Sequence, residues 1–335
     1  MSRQTDISVV VCTWNRCDLL ERALQCLLAQ SNGRVSYEVI VVDNNSTDRT
    51  REVVEALIAQ GERRLRYVSE RRQGLSHARN AGIAAADGAI IAFTDDDVRV
   101  ASDWIATIKR AFDEHPEVVC IGGRVLPEWG GERPAWLMQA HWSPLGVQDY
   151  GAEPFAVGRE HPVCLIGASL AFRREVFERV GLFEPDFQRV KGGIGSNEDV
   201  EFHLRLWRRH EASRYVPELL ASGYVPPERM SRAYHRRWHR GHGYYYALLR
   251  EDSFEQSSGR LLDVPLHVLR QTMKEAAMWA WQMLRGQTDQ AFLAEVRLLF
   301  CIGFISKRSR DYLKGLRRTA RKPGRAETVS DISDL

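Results

Sequence analysis

The chain has 335 residues, of which 44% are hydrophobic and 27% are charged, and its formal net charge is +3. This length predicts about two domains, and the balance excludes a largely disordered chain. The longest apolar run, residues 298–305, excludes a spanning helix there, since one needs ~20 residues. The six cysteines form no CxxC pair, and a strand begins almost at once. We therefore expect reduced thiols, no signal peptide and a cytoplasmic protein.

The first ~125 residues alternate between strand and helix patterns. Apolar runs predict strands at residues 7–11, 39–42, 65–68 and 89–93. Helical spacing predicts helices over residues 18–29, after Asp48, and over residues 76–86. Strands that are apolar throughout and separated by helices indicate a parallel sheet covered on both faces. Ligands of such sheets bind beyond the carboxyl ends of the strands, where the polar clusters 13–16, 43–46 and 95–97 fall.

The pattern changes after this region. Residues 127–162 are rich in Gly, Pro and Trp and predict a long irregular loop of functional importance. Helical spacing returns at residues 173–180, 198–209, 266–284 and 290–305, the last two being amphipathic. Residues 307–325 carry nine Lys or Arg and one acid, and we expect residues 307–335 to form a basic, disordered tail.

Three adjacent carboxylates, Asp95, Asp96 and Asp97, follow the predicted fourth strand. They repel one another unless a cation lies among them. Oxygen ligands of this kind suit Mg²⁺ or Mn²⁺ bound jointly with a diphosphate. The alternative is a solvated turn or a helix N-terminus, because a helical stretch begins near Asp103.

Two further acidic positions have both a structural and a functional interpretation. Asp43 lies in a stretch typical of turns, but a carboxylate at a strand end can also accept a hydrogen bond from a nucleobase. Glu198 and Asp199 begin a predicted helix, where the macrodipole favours acids, and either could serve as a base. The Gly-rich residues 191–196 before them are flexible enough to become ordered when substrate binds.

Six stretches, taken in order, resemble the motifs of the inverting, bacterial-type family 2 glycosyltransferases with the GT-A fold. They are VVVCTWNR (9–16), VIVVDNNSTD (39–48), GLSHARNAG (74–82), FTDDD (93–97), GASLAFR (167–173) and NEDVEF (197–202). The resemblance covers residues ~5–250. It implies an α/β fold with a Rossmann-like, mostly parallel sheet flanked by helices. Residues 1–125 would form a nucleotide-sugar-binding half and residues 126–250 an acceptor half, followed by C-terminal helices over residues 251–306.

The resemblance also implies a role for each matching residue. Asp199, with Glu198 beside it, would be the catalytic base, and Asp97 would hold the metal. Gly167 and Ala168 would border the acceptor. The nucleotide sugar would be bound by Thr13, Asn15, Arg16, Asp43, Asn45, Arg79, Asp95 and Asp96. A metal such as Mn²⁺ or Mg²⁺ would neutralise the diphosphate, the base would deprotonate an acceptor hydroxyl, and direct displacement would invert the anomeric carbon.

One departure concerns the metal. Many family members carry a metal-binding histidine shortly before a Val-Pro pair, whereas Ser222-Gly223-Tyr224 precedes Val225-Pro226 here. The histidines that could replace it are His235, His239 and His242, which are equally typical of a helix surface. Otherwise Asp97, phosphates and water would hold the metal. The neighbouring cluster Arg232, Arg236, Arg237 and Arg240 could bind a diphosphate or a lipid headgroup.

These observations favour an inverting glycosyltransferase that acts on a glycan or a lipid-linked acceptor. A uridine diphosphate sugar is the expected donor, with a guanosine diphosphate sugar second, because uracil N3–H could donate to Asp43 whereas cytosine N3 could not. The first alternative is an inactive protein that binds nucleotide sugars or carbohydrates. A nucleic-acid-binding protein ranks last, since no nucleic-acid motif is present. The amphipathic helices and basic tail predict an anionic membrane surface as a partner, at the inner face of the cell membrane, unless the helices pack as ordinary core.

Overall fold

The computed structural model describes residues 5–31, 33–188, 197–251, 255–256 and 259–320, with side chains up to Leu316. Its strands are β1 (Ile7–Thr13), β2 (Tyr37–Asp43), β3 (Leu65–Ser69), β4 (Ile90–Asp95), β5 (Val98–Val100), β6 (Val118–Gly122), β7 (Val125–Trp129), β8 (Phe155–Val157), β9 (Leu170–Arg173), β10 (Ala212–Tyr215), β11 (Ala221–Val225), β12 (Arg260–Leu261) and β13 (Val264–Pro265). The glycine-rich residues 191–196 lie outside the described part of the chain.

The α-helices are α1 (Cys17–Leu28), α2 (Thr50–Ala59), α3 (Leu75–Ala85), α4 (Trp104–Glu114), α5 (Val176–Val180), α6 (Glu198–Arg208), α7 (Arg232–Tyr246), α8 (Leu266–Leu284) and α9 (Thr288–Ala320). Short 3₁₀ helices span Gln139–His141, Ser143–Leu145, Gly167–Ser169, Pro185–Phe187 and Pro227–Met230. The predicted long loop, residues 127–162, therefore contains the end of β7, β8 and two of these 3₁₀ helices, and is otherwise irregular.

A central sheet has the strand order β3-β2-β1-β4-β9-β6-β10-β8. The first four of these strands are parallel, as their continuous apolar runs predict, while β9 pairs antiparallel with both β4 and β6. The pairing sets Thr13 beside Asp43 and Cys12 beside Asp95 at one edge. Strand β6, from the predicted donor half, lies between two strands of the predicted acceptor half, so the two halves share one sheet.

Helices cover both faces of this sheet. Val9 and Val11 of β1 pack in a core with α1 and α4, whereas Val10 faces a second core formed with α3, α5 and α6. A Cβ atom at Gly82 would come within 2.3 Å of Val10 Cγ1. Glycine therefore lets the backbone of α3 pack directly on β1. This close packing fixes α3, which carries Arg79 on its buried side.

The C-terminal helices differ in how much they are buried. Helix α9 packs along α7 and buries Phe292, Val296 and Phe304. Helix α8 contacts α9, but only Val268 and Glu275 of α8 are buried. The expected apolar face of the second helix is thus core, whereas that of α8 is open to solvent. Over the described ranges, no helix is both long and apolar enough to cross a bilayer.

The prediction of a disordered tail beginning at residue 307 is wrong up to Ala320, because α9 continues through this stretch. No proline or glycine interrupts residues 307–314, and Lys307 pairs with Asp311 one turn later at 3.0 Å. Arg308 is 1% exposed and pairs with the carboxylates of Glu255 and Asp263. Tertiary ion pairs therefore add to a favourable local sequence. Residues 321–335 lie outside the described residues.

Candidate active site

A cleft of about 970 Å³ opens at the carboxyl ends of β1 and β4. Helices α3, α6 and α7 and the loop after β7 form its walls. The site residues expected from the sequence that line it are Thr13, Asn15, Arg16, Arg79, Asp95, Asp96, Asp97, Gly167, Ala168, Glu198, Asp199 and His242. Asp43, Asn45, His235 and His239 do not line it. Folding therefore brings residues of all six motif stretches to one cleft, the stretch 39–48 through Asn44 alone, together with residues of α7.

The three carboxylates Asp95, Asp96 and Asp97, at the end of β4, have different surroundings. Asp96 is buried and accepts hydrogen bonds from the Thr13 hydroxyl at 2.8 Å and from Arg16 Nη1 at 3.0 Å. Asp97 Oδ2 accepts a hydrogen bond from the same Arg16 nitrogen at 2.9 Å. Burial, and next the charge of Asp97, raises the pKa of Asp95 to about 7. The burial of Asp95 is thus incompletely compensated by positive charge, which is the condition that a bound cation relieves.

The donor atoms fit a divalent metal only in part. Asp95 and Asp97 supply the carboxylate oxygens that Mg²⁺ and Mn²⁺ prefer. Within the described chain, however, no three His, Cys, Asp or Glu side chains form a group that could hold an ion alone. Donor phosphates and water would have to complete the coordination. The residues present therefore fit a metal that binds together with the nucleotide sugar.

The histidines of α7 give this metal no support. The ring of His235 lies 5.1 Å from that of Trp136 in an aromatic cluster, and burial lowers the pKa of His235 to about 4. Burial likewise lowers the pKa of His239 to about 3. His242 reaches the cleft but stacks on Trp238 at 4.5 Å. A metal-ligand role for these histidines therefore has no support in the structure, because His235 and His239 do not line the cleft and the ring of His242 stacks on Trp238.

Arg79 joins α3 to the first turn of α6. Its Nη1 lies 2.6 Å from Asp199 Oδ1 and 3.8 Å from Glu198 Oε1, and the residue is 3% exposed. Asp199 Oδ2 also accepts a hydrogen bond from the Gly167 backbone at 3.1 Å. Burial alone would lower the pKa of Arg79, but Asp199 and Glu198 hold it above its usual range. The expected base is thus oriented through both carboxylate oxygens.

Gly167 is required by this arrangement. A Cβ atom there would come within 1.9 Å of Arg79 Nη2. Any side chain at this position would displace the guanidinium from Asp199. Gly167 therefore acts on the expected base by leaving room for Arg79, in addition to lining the cleft.

The turn after β2 is built around Asp43. Asp43 Oδ1 accepts a hydrogen bond from the Ser46 backbone at 2.9 Å, and Oδ2 accepts one from the Tyr67 hydroxyl at 2.7 Å. Asn15 Oδ1 accepts a hydrogen bond from the Thr47 backbone at 2.7 Å, which joins this turn to the end of β1. Asn15 and Asn45 both have positive φ, at 53° and 68°, as such turns require. Both oxygens of Asp43 are engaged within the fold.

Several lining residues were not expected from the sequence. Trp142, Tyr234 and Trp238 give the cleft an aromatic wall, and Arg229 lies 3.8 Å from Asp97. The first three come from the long loop and from α7, where composition alone does not distinguish a wall from a core. Arg229 follows the Val-Pro-Pro stretch that ends β11, and no pattern in the sequence marks it.

Comparison with known sequences decides the family. The Glycosyl transferase family 2 profile matches residues 8–181, more than half of the chain. The chain belongs to glycosyl transferase family 2. As a family 2 glycosyltransferase it is an enzyme of glycosyl transfer, which confirms the resemblance of its motifs. The match includes Asp95–Asp97 but ends before Asp199, so the base assignment depends on the geometry of α6.

Two curated proteins are similar in sequence to this family 2 glycosyltransferase. It is 28% identical over 185 residues to glucosyl-dolichyl phosphate glucuronosyltransferase of Haloferax volcanii, covering 55% of this chain and 57% of the relative. It is 26% identical over 315 residues to the succinoglycan biosynthesis protein ExoM of Rhizobium meliloti, covering 92% and 89%. The chain spans little more than half the length of the first relative.

Solved structures confirm the GT-A-type fold. The mannosyltransferase PcManGT from Pyrobaculum calidifontis, in complex with GDP-Man and Mn²⁺, aligns with a TM-score of 0.53 at 19% identity, covering 96% of this chain and 82% of that one. TarS residues 1–349 of S. aureus, in complex with UDP-GlcNAc, align with a TM-score of 0.52 at 17% identity, covering 93% and 92%. At these identities the likeness establishes the fold alone.

Proposed function

We propose that this family 2 glycosyltransferase moves a sugar from a nucleoside diphosphate donor to a hydroxyl group of a glycan or lipid-linked acceptor, with inversion at the anomeric carbon. The observation that carries the proposal is that the carboxylates after β4 and Asp199 of α6 line one cleft. A diphosphate leaving group needs positive charge near it, and an acceptor hydroxyl needs a base. The cleft offers sites for both.

In the proposed step the acceptor oxygen forms a bond to the anomeric carbon as the bond from that carbon to the phosphate oxygen breaks. The electron pair of the breaking bond leaves with the diphosphate. The acceptor proton passes to the carboxylate of Asp199. Arg79 and the Gly167 backbone orient this carboxylate. A single in-line displacement leaves the product with inverted configuration.

A divalent cation, Mn²⁺ or Mg²⁺, would lie at Asp95 and Asp97 and neutralise charge on the diphosphate when bound. The raised pKa of Asp95, caused first by burial and then by Asp97, supports a cation there. The Mn²⁺ bound to PcManGT, which shares the fold, supports the same proposal. Arg16 also contacts Asp97 and would contribute to the positive side of this site.

A uridine diphosphate sugar is the proposed donor, with a guanosine diphosphate sugar as the second choice. TarS binds UDP-GlcNAc and PcManGT binds GDP-Man on the same fold. The oxygens of Asp43 accept hydrogen bonds from Ser46 and Tyr67. Asp43 would therefore act mainly by holding the turn that borders the nucleobase of the donor. Calorimetry with UDP, GDP and CDP checks this choice, and a preference for CDP would contradict it.

The acceptor is proposed to be presented at the inner face of a membrane, with the enzyme bound peripherally to anionic lipid. The name of the H. volcanii relative refers to glucosyl-dolichyl phosphate, a sugar linked to a lipid phosphate. Helix α8 exposes Met273, Trp281 and Leu284 at 66%, 55% and 83%. Arg270 and Lys274 are also exposed on this helix. Apolar side chains together with cations suit an anionic leaflet.

The experiment that tests the activity is a screen of nucleotide sugars by thermal shift with Mn²⁺, followed by assay of sugar release and transfer. A ligand that binds only the folded state raises the melting temperature. We expect one nucleotide sugar to raise the melting temperature and to be consumed. A donor that binds but is neither hydrolysed nor transferred to any acceptor would instead identify an inactive nucleotide-sugar-binding protein.

A further inference from the structure

Arg229 brings a second cation to Asp97. It lies on the 3₁₀ turn Pro227–Met230, and its Nη1 is 3.8 Å from Asp97 Oδ2. The position is fixed by the smaller sheet, in which β11 pairs with β5 and the Tyr224 backbone donates a hydrogen bond to the Asp97 carbonyl at 2.8 Å. The side chain of Arg229 lines the cleft and is 16% exposed.

The two arginines at Asp97 are held differently. Arg16 Nη1 contacts both Asp96 Oδ1 at 3.0 Å and Asp97 Oδ2 at 2.9 Å. If a bound cation engages Asp97, Arg16 retains Asp96. In the described ranges, Asp97 is the carboxylate that pairs with Arg229. The same cation would therefore leave Arg229 without its anionic partner, at the edge of the cleft.

We propose that Arg229 binds the diphosphate of the donor and stabilises it as the leaving group. This inference rests on the proposed function. As the bond from the anomeric carbon to oxygen breaks, the electron pair passes to the diphosphate, and its negative charge grows next to the guanidinium. The planar fork of arginine matches two phosphate oxygens, which a lysine ammonium does not. Arg229 thus exchanges a carboxylate partner for a phosphate partner when the donor enters.

The test measures binding of UDP, UMP and uridine by calorimetry with Mn²⁺, with GDP and GMP in parallel. The variants are Arg229→Ala and Arg229→Lys, with Arg22→Ala as the control because Arg22 is an exposed cation of α1 that does not line the cleft. We expect Arg229→Ala to weaken UDP binding by about 10- to 100-fold, as loss of a charged hydrogen bond does. UMP and uridine binding should stay unchanged, and Arg229→Lys should lie between.

The outcomes separate two failures. If the wild-type chain binds neither UDP nor GDP, the proposed function fails and this inference fails with it. If the wild type binds a diphosphate and Arg229→Ala binds it equally tightly, only the role of Arg229 is overturned. Equal weakening of UDP, UMP and uridine would also overturn it, because a merely structural residue has that effect. Arg229→Lys keeps the positive charge beside Asp97. If Arg229→Ala does not fold, the affinity of Arg229→Lys for UDP tests the role of Arg229 instead, and wild-type affinity would overturn it.

Discussion

Arg79 Nη1 lies 2.6 Å from Asp199 Oδ1, and this ion pair joins α3 to the first turn of α6 inside the cleft. The guanidinium also lies over the ring of Phe183, 5.1 Å from its centroid. A cation in this position orients the carboxylate proposed as the base. It also makes the two residues depend on each other, because removing the carboxylate or the guanidinium leaves the other charge buried without its main partner.

We predict that Asp199→Asn lowers turnover by roughly 10²–10⁴-fold, because the amide keeps the shape of the carboxylate but cannot take the acceptor proton. Donor affinity, measured by calorimetry, should change little. Glu201→Gln is the control, since Glu201 lies on the same helix and pairs with Arg205. If donor binding collapsed while turnover held, Asp199 would belong to the donor site.

Arg79→Ala should lower the free energy of unfolding by about 3–5 kcal/mol, because it leaves the buried carboxylate of Glu198 and the partly buried carboxylate of Asp199 without their cation. Chemical denaturation near pH 7.5 measures this value. Arg51→Ala provides the comparison, since the pair of Arg51 with Glu55 is exposed to solvent and should contribute little to stability. Equal effects of the two substitutions would argue against a structural ion pair at Arg79.

We expect EDTA to abolish transfer and Mn²⁺ or Mg²⁺ to restore it, because Asp95 and Asp97 would then regain their cation. Asp97→Ala should be inactive at all metal concentrations, and Mn²⁺ should no longer tighten UDP binding. Asp103→Ala serves as the control, because Asp103 is exposed before α4 and its side chain caps no backbone group. Full activity of the wild type in the presence of EDTA would contradict this prediction.

The exposed face of α8 should bind anionic vesicles at low salt. We predict that the double substitution Trp281→Ser and Leu284→Ser, or deletion of residues 321–335, which leaves α9 intact, reduces co-sedimentation, and that high salt releases the protein. Each Lys or Arg near an anionic leaflet contributes ~1 kcal/mol. Ile58→Ser, which removes a 38% exposed apolar residue of α2, should bind as the wild type does. No co-sedimentation of the intact chain would leave α8 without a membrane role.

Acid should destabilise the protein through His235. Burial, and next the nearby His141, lowers the pKa of His235 to about 4, whereas an unfolded histidine titrates near 6.5. Between these values the unfolded chain takes up a proton that the folded chain refuses, so stability present above pH ~6.5 declines as the pH falls towards 4. His235→Phe should flatten this decline, and His161→Phe, at an exposed position, should not. Denaturation midpoints from pH 8 to pH 4.5 measure the difference.

The sequence predicts the parallel half of the sheet because β1, β2 and β4 are buried on both faces. Their apolar runs need no alternation, and β1 and β2 are apolar almost without interruption. It also predicts that Asp95–Asp97 lie at a strand end, since polar residues directly follow the last buried residue of β4. These are local features, and the order of the residues along the chain is enough to reveal them.

Tertiary contacts decide what local patterns leave open. Asp43 has the same character at the end of β2 as Asp95 has at the end of β4, yet the fold engages its oxygens with Ser46 and Tyr67. The amphipathic patterns of α8 and α9 are alike, but α9 packs along α7 and becomes core, whereas α8 has two buried residues, Val268 and Glu275. Arg229 reaches Asp97 because β11 pairs with β5, residues 98–100, more than a hundred positions away in the chain. Periodicity reports which side of an element is apolar, whereas the partner of that side is set by packing between distant segments.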